Sequence, residues 1–324
     1  MTKYIIIGLS ILFLITCSSN LPISIGKTRE VVILSNHIDA IKKILSNILE
    51  RPIYTVQPEP EFLIKYLPLS SIDRYYRFHT LFIIGSINEE PINSLLKLYV
   101  KKILKDTFGL YNISDLWAKN QKVFIFAVSD LKYLTIGLTK YKNTILKTLR
   151  NHQLENISKL TYAHGYDKNL EKILIHKYNF SLKLPNSFKL NAKYYENNFL
   201  YFVAHNPERS VFVYFSNNKV PLEPENAICL RDSLTALFYE GDYVYHLYTY
   251  AETTNFNNNL AVKLIGVWQN NKYYAGGPFI SYMFYRDTLL YFIDGMVFNP
   301  GQKKLNYLIQ LDAILHTFKE SIVN

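Results

Sequence analysis

Between residues 244 and 298 four strand-like stretches follow one another, at about 244–252, 260–269, 279–286 and 288–298. The gaps between them are too short for a crossover helix, so neighbouring strands must run antiparallel. This fixes the C-terminal part as a sheet of hairpins. Helical periodicity flanks it at 225–239 and again at 303–319, where Leu305, Leu308, Leu311, Ile314, Leu315 and Phe318 fall on one face.

Upstream, strands and helices alternate. EVVILS at 30–35 precedes a helix carrying Ile38, Ile41, Ile44, Leu45, Ile48 and Leu49, and Pro58 and Pro60 force an extended entry to a strand at 62–67. HTLFIIGSI (79–87) and KVFIFAVS (122–129) read as strands, and Pro91–Lys105 as a helix with proline at its start. Helical periodicity then runs from Leu131 to about Tyr178 with breaks at Asn151 and Gly165, and FLYFVAH and SVFVYFS pair around the turn NPER. The class is α+β, with mixed, largely antiparallel sheets and packed helices. The same strand-to-helix order in 28–185 and 186–324 suggests two related halves.

Hydrophobic residues make up 49% of the 324-residue chain and aromatics 15%, ample apolar area to offset chain entropy. The formal net charge of +10 carries no block of like charges, and the Lys-Lys pairs at 42–43, 101–102 and 303–304 read as solvated helix faces. Nucleic acid is not an expected partner.

The first residues give an address. Behind Lys3 an apolar run from Tyr4 to Thr16 is shorter than the about 20 residues that span a bilayer, and its charged start and short apolar middle follow the plan of an export signal. Leu14, Ile15 and Thr16 before Cys17 resemble the lipobox of bacterial lipoproteins, which implies a leader over 1–16, acylation of Cys17 and attachment to the membrane through it. An ordinary cleaved signal and an uncleaved anchor are the alternatives. Residues 17–27, polar with Pro22 and Gly26, read as a tether. Ser18 is not acidic, so the expected location is the cell envelope, at the outer membrane facing the periplasm. With Cys17 lipidated, Cys229 stands alone, no disulfide forms, and its place in AICLRDSL reads as an apolar helix position.

A set of segments in fixed order carries a family resemblance: GKTREVVIL (26–34), QPEPEF (57–62), RDS (231–233), GVW (266–268), YYAGGPFISY (273–282), DGMVFNPG (294–301) and LDAIL (311–315). Together they resemble a family of bacterial lipoproteins catalogued as domain of unknown function 4837, over nearly the whole mature chain. The resemblance favours lipidation of Cys17 and implies no catalytic residue.

Recognisable chemistry is sparse. Gly276-Gly277-Pro278 lacks the Lys-Ser or Lys-Thr and the following helix of a phosphate loop and reads as a tight turn. Glu59 and Glu61 lie on one side of an extended segment and read as solvated rather than as a catalytic pair. The eight histidines never adopt metal-ligand spacing, so neither a metal nor a cofactor is expected. Arg231 within its helix is expected to pair with Asp294, which interrupts the apolar run LLYFIDGMVF. The candidate ligand site is Arg231, Trp268, Gly276, Gly277 and Asp294, where a fixed positive charge beside turn amides could meet an acidic ligand, with Tyr273, Tyr274 and Tyr282 supplying rings. Structural alternatives are a buried ion pair and a core tryptophan. The sequence thus supports an envelope module that binds an envelope protein or an acidic ligand; a lipid-anchored hydrolase acting on envelope material is the alternative.

Overall fold

The computed structural model describes residues 21–100, 107–191 and 198–320. Cys17 and the expected 1–16 leader lie outside them. The first half comprises β1 (Glu30–Leu34), α1 (Ile38–Leu49), β2 (Pro52–Thr55), β3 (Gln57–Pro60), β4 (Leu63–Leu67), α2 (Ile72–Tyr75), β5 (Thr80–Ser86), α3 (Ile92–Leu95), β6 (Phe108–Ser114), β7 (Lys122–Val128) and α4 (Leu134–Thr161). The second comprises α5 (Lys168–Tyr178), β8 (Phe180–Ser181), β9 (Lys189–Asn191), β10 (Phe199–Ala204), β11 (Glu208–Ser216), α6 (Pro224–Phe238), β12 (Tyr243–Phe256), β13 (Asn259–Asn270), β14 (Ala275–Arg286), β15 (Leu289–Phe298), α7 (Leu305–Leu315) and β16 (Lys319–Glu320). The class is α+β.

Each half has its own sheet, and the two differ in topology. In the first, the order is β4-β1-β5-β7-β6, parallel except for β6, which runs antiparallel to β7. Every residue of β5 is buried, as a parallel strand covered on both faces requires. Helices α1 and α4 cover one face through Ile41, Leu45, Leu138 and Leu149, and Ile92, Leu95 and Leu69 cover the other. The second sheet, β12-β13-β14-β15-β11-β10-β9, is antiparallel throughout. Helix α6 packs on one of its faces; α5 and α7 pack on the other.

Several expectations are corrected. Asn151 does not interrupt the long helix: α4 continues through it, because His152, Gln153 and Asn156 on its other side are buried and the packing outweighs a weak helix former. Leu170 and Leu174 of α5 belong to the core of the second sheet, so the cores divide between Thr161 and Lys168 rather than at 185. The expected tether is docked from its described start: Ser24 N donates to Lys119 O at 3.1 Å, Ile25 N to Arg77 O at 2.9 Å, and His79 N to Ile25 O at 2.9 Å. Strand β6 and the β2–β3 hairpin have no counterpart in the sequence reading.

That hairpin joins the halves. Glu59 on β3 and Glu61 just after it are both 6% exposed, not solvated. Glu59 Oε1 accepts from the backbone N–H groups of Lys304, at 2.7 Å, and Leu305, at 3.0 Å, so a first-half carboxylate caps the N-terminus of second-half α7. Thr55 Oγ1 donates to the same oxygen at 2.9 Å, and Arg29 Nη1 lies 3.6 Å from Glu59 Oε2. Glu61 is gripped by Arg150 of α4 through two bonds, one of them Nη2 to Oε2 at 2.8 Å. Glu59→Ala would strip the cap and leave Arg29 buried without its partner. The expected loss of unfolding free energy is about 3–5 kcal/mol, read from urea denaturation. A loss under about 1 kcal/mol would show that the cap does not tie the halves.

Candidate functional site

The β13–β14 hairpin ends in the turn Asn271–Tyr274, and the sheet end around it is cut by two clefts. The buried Asn270 builds the turn: its Oδ1 accepts from the N–H groups of Lys272 at 2.9 Å and Tyr273 at 3.1 Å, an Asx-type arrangement. Its Nδ2 donates to Asp242 Oδ1 at 2.7 Å. Tyr273 is thrown to one side, where its hydroxyl donates to Glu240. Tyr274, at φ +50°, projects into solvent and is 96% exposed.

The first cleft, of about 490 Å³, lies between this turn, the β2–β3 hairpin and the 299–304 loop. Its walls include Gln57, Gln269, Asn271, Tyr274, Gly276 and Lys304, and no carboxylate lines it. Tyr243 Oη stands 3.0 Å from the carboxamides of both Gln269 and Asn271, donating its proton to one and, with the other amide turned, accepting from it. Lys304 is 5% exposed; its Nζ donates to Gln302 O at 2.8 Å, and no carboxylate of the described residues comes within ion-pair distance. Burial pushes its ammonium below the usual lysine range, with Glu59 opposing the shift.

The second cleft, of about 450 Å³, has the opposite character. Tyr201, Tyr239, Trp268 and Phe298 line it with Glu208, Glu240 and Asp242, and no Lys or Arg does. Asp242 is 5% exposed, and desolvation raises its pKa to about 6, against the hydrogen bond from Asn270.

The sequence-derived site separates into parts. Arg231 Nε donates to Asp294 Oδ2 at 2.8 Å and both residues are 0% exposed, so the expected ion pair exists. Ser281 Oγ donates to the same carboxylate oxygen at 2.6 Å, and the guanidinium lies 3.6 Å from the Phe279 ring centroid. Arg231 therefore cannot offer its charge to a ligand. Gly276 and Gly277 are not a turn; they begin β14, opposite Gln269 and Trp268. A Cβ on Gly277 would stand 1.9 Å from Val297 O and 2.9 Å from Trp268 Nε1, so the glycine lets the next strand and the indole close in. Trp268 fills the core beneath α6 and also lines the second cleft. Cys229 is exposed on α6, not packed. Lys304 is the cation that accompanies Gly276, and the Lys-Lys pair containing it is not a solvated face.

Two family models divide the chain between them. Residues 167–317 match the model Domain of unknown function (DUF4837). Residues 24–162 match a second, Domain of unknown function (DUF8532), so GKTREVVIL and QPEPEF fall outside the family to which their order pointed. No curated protein matches the chain. A crystal structure from Bacteroides thetaiotaomicron VPI-5482 aligns with TM-score 0.30 and 8% identity over 45% of this chain and 46% of its own. The solution structure of PsbP (CyanoP) from Synechocystis sp. PCC 6803 aligns with TM-score 0.32 and 8% identity, over 44% of this chain and 86% of its own. Among the described residues no helix is long and apolar enough to cross a membrane, and no metal-holding cluster of His, Cys, Asp and Glu occurs.

Asp242 makes a pH signature. Its folded pKa, about 6, lies above the ordinary aspartate value of 3.8, so the folded state holds the proton more tightly. This contribution is fully present below about pH 4, is lost as pH rises through 6, and is absent above. Asp242→Asn should remove that loss and raise stability at pH 8 by about 3 kcal/mol relative to the parent. Identical pH–stability curves for parent and variant would contradict the assignment.

Proposed function

We propose that this chain is a lipid-anchored protein of the cell envelope, held through Cys17 and facing the periplasm from the outer membrane, whose second half binds an acidic ligand in the cleft above Lys304. The observation that carries the binding reading is the Lys304 ammonium: buried at the foot of an open cleft whose walls carry side-chain amides, with no carboxylate of the described residues within ion-pair distance. A buried cation bonded to a carbonyl but not paired with a carboxylate is costly, and an anion entering the cleft would relieve that cost. The anchor reading draws on the Leu14-Ile15-Thr16-Cys17 sequence. A hydrolase is the second reading, favoured by Asp242, whose pKa suits proton transfer near neutrality. Turnover of an envelope glycan or ester that Asp242→Asn removes would carry it.

Two measurements on the membrane-extracted full chain test the proposal. Intact mass should show a chain beginning at Cys17 with added acyl mass; retention of residues 1–16, or no added mass, contradicts the anchor. Titration with acetate followed by NMR should shift the amides of residues 269–276 and 304 in a saturable way. Lys304→Met should keep the fold, since it removes a buried charge while leaving the backbone bonds to Glu59, and should abolish those shifts. Saturation unchanged in Lys304→Met would overturn the binding site.

A further inference from the structure

The anion site has a neighbour that a simple anion does not need. Tyr274 stands at the lip of the same cleft with its ring 96% exposed, on a residue held at φ +50°. An aromatic ring so placed has no packing of its own and offers a flat apolar face beside polar groups. On the cleft side, Gln57, Gln269 and Asn271 present carboxamides, groups whose donors and acceptors match hydroxyls in either role. The volume, about 490 Å³, lies within the roughly 300–1,000 Å³ of small-ligand sites.

The charge arrangement narrows the ligand. A polyphosphate would need several amides and cations, yet the first N–H groups at the head of α7 are already taken by Glu59, leaving the single Lys304 ammonium. This suits one carboxylate. The carboxylates of Glu208 and Asp242 in the second cleft lie on the other side of the turn and disfavour an anion from that side, while Glu240 there is paired with Lys272 of the turn at 3.7 Å.

Resting on the anion site above, we propose that the ligand is an acidic saccharide: a sugar ring stacked on Tyr274, its hydroxyls on the carboxamides, and its carboxylate on Lys304. The carboxylate can belong to a uronic acid or to a lactyl ether on an amino sugar.

The test is calorimetric titration of the detergent-extracted full chain with trigalacturonate, with the N-acetylglucosaminyl–N-acetylmuramic acid disaccharide, with chitobiose as neutral counterpart, and with acetate. At least one acidic saccharide should bind about tenfold more tightly than both acetate and chitobiose. Which of the two does so identifies the source of the carboxylate. Tyr274→Ala, a fully exposed position whose change leaves the fold intact, should reduce that affinity to the acetate level, and Lys304→Met should remove it. If neither acidic saccharide exceeds acetate, if chitobiose binds equally well, or if Tyr274→Ala changes nothing, the saccharide assignment fails while the anion site stands. Binding undiminished in Lys304→Met removes both.

Discussion

The carboxylate of Glu59 ties the two halves together, alongside the packing of α4 on α7 and the stacking of Tyr54 on Tyr248. It arrives on a short hairpin of the first half and accepts two backbone bonds at the head of α7 in the second, with Arg29 as its countercharge. A buried carboxylate is tolerable only when its lone pairs are satisfied, and here the partners come from three separate parts of the chain. Helix α7 in turn covers one face of the antiparallel sheet through Leu308 and Leu311. The bond that anchors the helix therefore also fixes the backbone of Lys304 and aims its side chain beneath the sheet end. Fold and site depend on the same contact.

The sheet end itself is divided by one turn into surfaces of opposite charge. Asn270 orders the turn and touches Asp242, so the geometry of the acidic cleft is coupled to the position of Tyr273 and Tyr274. On a chain whose net charge is +10, a cleft lined by carboxylates and rings without a cation is a local reversal of the average. On the α6 side of the sheet the buried Arg231–Asp294 pair serves the fold. Removing either member would leave the other charge stranded, so specificity of packing around Phe279 and Ser281 is its contribution.

Much of the fold was legible because its elements bury whole faces. The apolar runs of β1, β5 and β7 and the four C-terminal strands declare themselves, and Asp294 inside an apolar strand forecasts a buried partner for Arg231. What escaped depended on long-range contacts. Glu59 and Glu61 look solvated in a proline-rich segment because their partners, Lys304, Leu305 and Arg150, are remote in sequence. Lys304 looks like surface charge beside Lys303 for the same reason. Strand β6, FGLYNIS, has only partial burial and a weak pattern, and it is recruited by its pairing with β7. Asn151 failed as a helix breaker because tertiary packing on the far side of α4 outweighs a few tenths of a kcal/mol of propensity. Within the candidate site, Gly276 and Trp268 lie at one end of the sheet, while Arg231 is buried against Asp294 and Lys304 is the cation lining the cleft that holds Gly276.

The central claim is that Lys304 is a cation waiting for an anion. The NMR titration of its side chain, followed at Cε in the full chain, tests this most directly. The ammonium pKa is expected to lie below that of an exposed lysine in the free protein, because desolvation outweighs the field of Glu59, and to rise when an acidic ligand fills the cleft. An ordinary lysine pKa that stays the same with and without ligand would contradict it.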